Sequence, residues 1–118
     1  MLKIIMAGLF ALATLVSSAH AEPPHAKIST LASGALLLNG QPTDLSSIEA
    51  EFKRLQTQEG AVWYYRENPR AEPSPEAMSV IQSVIKLVIQ YRLPITFSSK
   101  PDFSDYIDAN GRSQPRKR

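Results

Sequence analysis

The chain has 118 residues, enough for one small domain, and it contains no cysteine. The lack of cysteine excludes a disulfide framework, a thiol nucleophile and a thiolate metal site. Basic and acidic residues nearly balance, 13 against 11.

Residues 1–21 have the pattern of a secretory signal peptide. Lys3 supplies a positive charge, residues 4–16 are an apolar run, and the final tripeptide AHA fits a cleavage site. The apolar run is shorter than the roughly 20 residues that a membrane-spanning helix needs. We therefore expect cleavage, a periplasmic or secreted protein, and no integral membrane span after cleavage.

The mature chain, residues 22–118, has a single histidine, His25, close to the new N-terminus. One histidine cannot form a multi-histidine metal centre, and its position argues against a Ser-His-Asp triad. We predict no cofactor and no metal.

Charge is divided unevenly along the mature chain. Residues 22–111 carry a net charge of −3, whereas residues 112–118 carry four basic groups and no acid. An acidic body in an exported protein does not favour nucleic acid as a partner. The basic end can contact anionic lipid or lipopolysaccharide, or it is simply solvated. Residues 101–118 are predicted to be a polar, basic, flexible tail.

Two β-prone runs begin the domain. Residues 26–32 mix β-branched and polar residues, and a Ser-Gly turn signal follows them. Residues 35–39 are an apolar run that ends at the turn dipeptide Asn39-Gly40. These features predict a β-hairpin with a small terminal bend.

The first helix is predicted over residues 45–58. Asp44 or Ser46 can cap it, and Ser46 with Glu49 fits a capping box. Apolar residues recur every three or four positions, which gives one apolar stripe and predicts that the helix lies on a sheet. The stripe consists of Leu45, Ile48, Phe52 and Leu55.

The run AVWYY, residues 61–65, has high β-propensity. Side chains alternate along a strand, so Trp63 faces one side of the sheet while Tyr64 and Arg66 face the other. Both sides carry bulky groups, which indicates an inner strand.

The second helix is predicted over residues 75–91, with Ser74 as its N-cap and Pro75 at its first position. It is apolar around most of its circumference, which indicates deep burial or a covering partner. A proline then opens a last strand over residues 94–99. A strand, a helix and a strand in succession form a crossover, so the strands at 61–65 and 94–99 should be parallel.

Together these elements predict an α+β domain at residues 22–100. Its architecture is a small four-stranded mixed sheet with two helices on one face, in the order ββαβαβ.

The acidic residues are interpreted as structural. The three glutamates within residues 67–76 could imitate a glycosidase site, but they lie in a loop and at a helix start, where acids are common. The three aspartates within residues 102–108 lack the alternate-residue spacing of a calcium loop. They favour a solvated turn, and we predict that the protein is not an enzyme.

Three stretches follow one another in the order that a known family shows. ISTLASGALLLNGQPTDLSSIEAEFKRL contains two strands and an amphipathic helix, GAVWYYRENP a strand and a polar turn, and SPEAMSVIQSVIKLVIQYRLPITFSS a helix and a final strand. Over about residues 27–99 the chain thereby resembles the periplasmic domain of the ExbD/TolR biopolymer-transport proteins. Family members carry an acidic residue in an N-terminal transmembrane helix, whereas this sequence has no Asp or Glu before Glu22. The resemblance therefore implies the fold without the proton-coupled function.

A non-catalytic protein-interaction domain is the function that these features favour. Its partner would be an envelope protein or peptide, bound by strand addition to an exposed sheet edge. A homodimer is a further possibility. The alternative is a secreted inhibitor or immunity-type protein that binds a toxin or an envelope enzyme. Two short helices cannot cover both faces of a sheet, so an exposed face should carry the contacts. We choose the face of Tyr64 and Arg66, with Glu67 at the rim.

Overall fold

The computed structural model describes residues 23–116, so the predicted signal peptide lies outside the described residues. In chain order the elements are β1 His25–Thr30, β2 Leu36–Leu38, β3 Gln41–Thr43, α1 Leu45–Thr57, β4 Ala61–Arg66, α2 Pro75–Gln90, β5 Ile95–Ser98, β6 Asp105–Ile107 and β7 Ser113–Pro115.

The main sheet is mixed, with the strand order β3-β2-β1-β4-β5. β1 pairs antiparallel with β2, and β2 with β3, whereas the pairs β1-β4 and β4-β5 are parallel. The predicted α+β class and the parallel pairing across α2 are therefore confirmed. β6 and β7 form a separate antiparallel hairpin.

The prediction of a four-stranded sheet in the order ββαβαβ is wrong in detail, because a short fifth strand follows the second one. Asn39 and Gly40 both have positive φ, 52° and 85°. Two successive residues of this kind make the tight hairpin turn that matches the twist of paired strands. The chain therefore returns along β2, with Gln41 opposite Leu38, instead of bending away.

Asp44 is the N-cap of α1, and the Ser47 N–H donates to its Oδ1 at 2.8 Å. The backbone hydrogen bond from Ser47 lowers the pKa of the Asp44 carboxyl. The alternative capping box is not used, because the helix begins at Leu45 and Ser46 lies inside it. Glu49 instead accepts a hydrogen bond from the Tyr91 hydroxyl at 2.6 Å. Both helix spans agree with the prediction to within one residue.

Removal of the Asp44 cap should weaken the domain measurably. Asp44→Ala leaves the first-turn N–H of Ser47 without its side-chain acceptor, so we expect the urea midpoint of unfolding to fall by about 0.5 M. Ser46→Ala is the matched control and should leave the midpoint unchanged. An equal loss in both variants would mean that the cap has been assigned to the wrong residue.

α2 begins as predicted. The Ala77 N–H donates to Ser74 Oγ at 3.1 Å, and Pro75 occupies the first helical position. The Ser74 hydroxyl also donates to the carbonyl oxygen of Ala32 at 3.3 Å. The cap therefore fixes the start of α2 to the end of β1 as well as to its own first turn.

Both helices pack on the same face of the sheet, and the core lies between them and the strands. Gly60, between α1 and β4, has no room for a side chain, because a Cβ there would lie 2.8 Å from the backbone oxygen of Pro24 and 2.6 Å from Leu55 Cδ2. The buried core side chains of the helices are Ile48, Phe52, Leu55, Val84 and Val88, and those of the strands are Ala26, Ile28, Leu36, Val62 and Tyr64.

The prediction of a flexible tail from residue 101 is wrong for residues 101–116. The β6–β7 hairpin follows a buried Phe103, whose ring meets that of Tyr65 edge-on with centroids 6.4 Å apart. Tyr65 points to the sheet face opposite the helices, since Tyr64 belongs to the helix-side core and neighbouring side chains alternate. The hairpin thus covers the second face of the sheet. Within residues 23–116, no helix has the length and apolar character needed to cross a membrane.

Candidate functional site

Tyr64 lies on the helix side of the sheet, and the expectation that it is exposed is wrong. Its side chain is only 2% exposed, and its hydroxyl lies 2.6 Å from Thr30 Oγ1. Burial raises the pKa of the Tyr64 phenol, while the bond with Thr30 and the nearby charge of Arg66 act in the opposite direction. The charge of Arg66 had suggested that this side of the strand faces solvent. Arg66 is the last residue of β4, however, so its side chain can reach solvent while Tyr64 stays buried.

Arg66 and Glu67 lie where β4 ends, as predicted, and both fix the local backbone. Arg66 donates through Nη2 to the carbonyl oxygen of Pro69 at 2.7 Å. Glu67 Oε1 accepts the Ala32 N–H at 2.7 Å, which connects the chain after β4 to the chain after β1. Their part in binding a partner stays a prediction.

Trp63 occupies the face opposite the helices, where His25 and Arg116 cover its ring. The His25 ring stacks on the indole with centroids 3.7 Å apart and planes 9° apart. The guanidinium carbon of Arg116 lies 3.8 Å from the indole centre, a cation–π geometry. Arg116 also donates through Nε to the carbonyl oxygen of Phe103 at 3.0 Å. Around Trp63 this face is therefore covered by internal contacts.

β5 is the last strand of the sheet, and its outer side is unpaired within the part of the chain that the structure describes. The Val62 N–H donates to the carbonyl oxygen of Pro94 at 2.9 Å, which fixes the register of the parallel pair. Alternate residues of such a strand face the partner, so the backbone N–H and C=O groups of Ile95 and Phe97 point away from β4. No strand of the described residues pairs with these groups, and the hairpin contacts β5 beyond them, at Ser98 and Ser99.

A groove of about 590 Å³ lies beside this edge, and α2, the sheet and the β6–β7 hairpin all contribute to its lining. The Phe97 side chain is 45% exposed, although its ring meets that of Tyr64 edge-on at a centroid separation of 6.0 Å. The apolar side chains in the lining are Tyr64, Ile81, Ile85, Phe97 and Ile107.

Two arginines give the groove its charge. Arg66 and Arg70 line it, and none of the described lining residues is a carboxylate. Arg66 uses one N–H on Pro69, and a guanidinium has five N–H donors. Donors therefore remain for a ligand, in a groove that is otherwise apolar and hydroxyl-lined.

Asp105 is buried, not solvated as predicted for its segment. Asp105 is only 2% exposed. Its carboxylate accepts hydrogen bonds from the Ser99 N–H at 2.9 Å, from the Ser113 hydroxyl at 2.6 Å and from the Ser99 hydroxyl. Burial alone would raise the pKa of Asp105, but the hydrogen bonds from Ser113 and Ser99 outweigh it, and the pKa is lowered. Asp105 therefore anchors the hairpin to the end of β5.

The glutamates of residues 67–76 do not form one site. Glu67 and Glu72 line a small cavity of about 140 Å³ at the start of α2, and Glu76 is not part of its lining. Glu67 is already engaged with the Ala32 N–H. Among residues 23–116, no group of three or more potential metal-ligating side chains is gathered closely enough to hold an ion.

Sequence reasoning missed Phe97 and Ile107 as surface groups. The one usable signal was the excess of apolar residues around α2, which indicated a covering partner. Nothing local showed that Phe97 lies at a free edge, because that depends on the order of strands far apart in the chain.

Comparison of this chain with protein families, curated proteins and solved structures finds no match.

Proposed function

We propose that this chain is an exported, non-catalytic protein-interaction domain, similar to the periplasmic part of ExbD/TolR proteins, that binds an extended segment of an envelope protein. The observation that carries the proposal is the unpaired edge of β5 beside an apolar groove. Main-chain groups of the edge give affinity to an added strand, and a neighbouring groove gives selectivity for its side chains.

The rest of the sheet supports the choice of this edge. The opposite edge strand, β3, contains Pro42 and is only three residues long, and proline on an edge strand hinders pairing. The face opposite the helices is covered by the hairpin through Phe103 and Arg116. The order of two strands, helix, strand, helix and strand, apart from the added β3 and hairpin, agrees with the order that the resemblance implies.

Replacement of Phe97 by proline tests the proposal. Because the Phe97 N–H points away from β4, Phe97→Pro should leave the sheet folded while it removes the outward donor. The variant should lose capture of its partner from an envelope extract by at least about tenfold. Circular dichroism checks that the fold is retained, and mass spectrometry identifies the captured protein.

Phe97→Val is the matched control, because it shortens the side chain but keeps the backbone donor. It should retain the same partner with a smaller loss. If Phe97→Pro is folded and captures that partner as well as the wild type, strand addition at β5 is wrong. A captured toxin or envelope enzyme would favour the inhibitor alternative over a transport-type partner.

A further inference from the structure

We infer that the groove beside β5 selects an acidic extended peptide, with aliphatic side chains at alternate positions next to glutamate or aspartate. The inference rests on the proposed function, since it assumes that the ligand enters as a strand along β5. It adds the chemistry of the ligand, which the free edge by itself does not specify.

The alternation follows from the geometry of the edge. A strand added beside β5 places every second side chain on the helix side of the sheet. On that side the neighbouring groups are Phe97 from β5 and Ile85 from α2, both in the groove lining. Aliphatic side chains at alternate positions of the ligand would bury this apolar surface, while those between them face away from the helices.

The acidic character follows from the charges. Arg66 ends β4, which runs parallel to β5, so it lies at the carboxyl end of the edge strand, and Arg70 follows in the next loop. No described carboxylate forms an ion pair with either arginine, and the groove lining holds no acid. A guanidinium recognises a carboxylate through paired N–H donors, and a basic ligand would meet like charges there.

The probe is a capped peptide, Ac-Glu-Glu-Leu-Thr-Val-Thr-Ile-Glu-Glu-NH₂, and its match has glutamine in place of all glutamates. Acids at both ends make the test independent of strand direction, and the caps remove terminal charges. Amide chemical shifts of the mature protein report binding. We expect perturbations at Ile95–Phe97 and Ile85, and a dissociation constant about tenfold lower for the acidic peptide at low salt. High salt should shrink that difference.

Variants assign the charge effect to the groove. Arg70→Gln should remove most of the preference for the acidic peptide, whereas Lys86→Gln, an exposed cation on α2 outside the groove lining, should leave the preference unchanged. Ile85→Ser should weaken both peptides alike, because it removes apolar contact without changing charge.

Three results would overturn the inference, and they separate it from the proposed function. If the glutamine peptide binds equally well at Ile95–Phe97, strand addition stands and the acidic preference is wrong. If neither peptide perturbs those amides, the proposed edge site falls as well. If sedimentation shows a dimer that Ile85→Ser dissociates, the groove holds a second copy of this chain instead of a foreign peptide.

Discussion

Val84→Asp should unfold the domain. Val84 is 0% exposed in the middle of α2 and packs in the core beneath both helices. An ionised carboxylate there would have no partner, and such burial costs several kcal/mol. A small domain has a total stability near the low end of about 5–15 kcal/mol, so one substitution of this kind removes most of it. Circular dichroism and amide proton dispersion should show a largely unfolded chain.

The same substitution elsewhere on α2 provides the control. Ile89 is 69% exposed, so Ile89→Asp places the charge in water and should preserve the fold with little change in melting temperature. A well-dispersed spectrum for Val84→Asp would mean that this side of α2 does not face the core, and the packing of both helices on one sheet face would have to be abandoned.

Asp105→Ala should release the C-terminal hairpin. The substitution leaves the Ser99 N–H and the hydroxyls of Ser99 and Ser113 without their buried acceptor. Because these donors are only partly buried, water can replace part of the lost interaction, and the total cost is about 1–2 kcal/mol. We expect fast hydrogen exchange throughout residues 105–115 and altered Trp63 fluorescence, because the Arg116 guanidinium would leave the indole. Asp102→Asn, an exposed change in the preceding turn, is the control and should do neither.

Acid should have a related effect, and its direction follows from the pKa of Asp105. Burial opposes ionisation, the bonds from Ser113 and Ser99 outweigh it, and the folded pKa lies below the ordinary value of 3.8. The stabilisation is therefore complete above pH 3.8 and is lost as the pH falls through the folded pKa. Asp108, whose pKa is lowered chiefly by the backbone N–H of Arg112, adds to this dependence. Asp105→Asn should reduce the acid sensitivity of the hairpin without abolishing it. Release of the hairpin near pH 6 would contradict this assignment.

The helices could be predicted because their signals are local. Asp44 and Ser74 stand at the caps, and the apolar spacing along each helix identifies the face that is buried. The crossover rule then gave the parallel pairing of β4 with β5. These inferences use neighbours within about one turn of chain, or a rule of connection that does not depend on side chains.

The burial of Tyr64 and the order of the C-terminal hairpin could not be predicted, because they depend on contacts between residues far apart in the chain. Tyr64 and Trp63 have similar size and polarity, and only the placement of the helices decides which of them is buried. The hairpin over residues 105–115 has a polar sequence, and its order comes from Asp105 meeting Ser99 and Ser113. Composition predicts that this segment is solvated, because composition shows Asp105 only as a charge. It does not show that Asp105 accepts hydrogen bonds from three donors.

The groove beside β5 also depends on contacts between residues far apart in the chain. The surplus of apolar residues on α2 predicted that something covers the helix, but the sequence did not show which strand lies beside it. The position of Phe97 at an edge follows from the strand order β3-β2-β1-β4-β5, which is a property of the assembled sheet.

The two stacking partners of Trp63 come from opposite ends of the described chain. His25 opens β1, Arg116 follows β7, and both lie within 4 Å of the same indole centre, at 3.7 and 3.8 Å. Side chains near both ends of the described chain thus contact the same residue. A glycine-serine linker between residues 116 and 23 should permit circular permutation, with new ends opened at the exposed Asn39-Gly40 turn. Such a permutant would keep the free edge of β5, while its new chain ends would lie at the turn between β2 and β3.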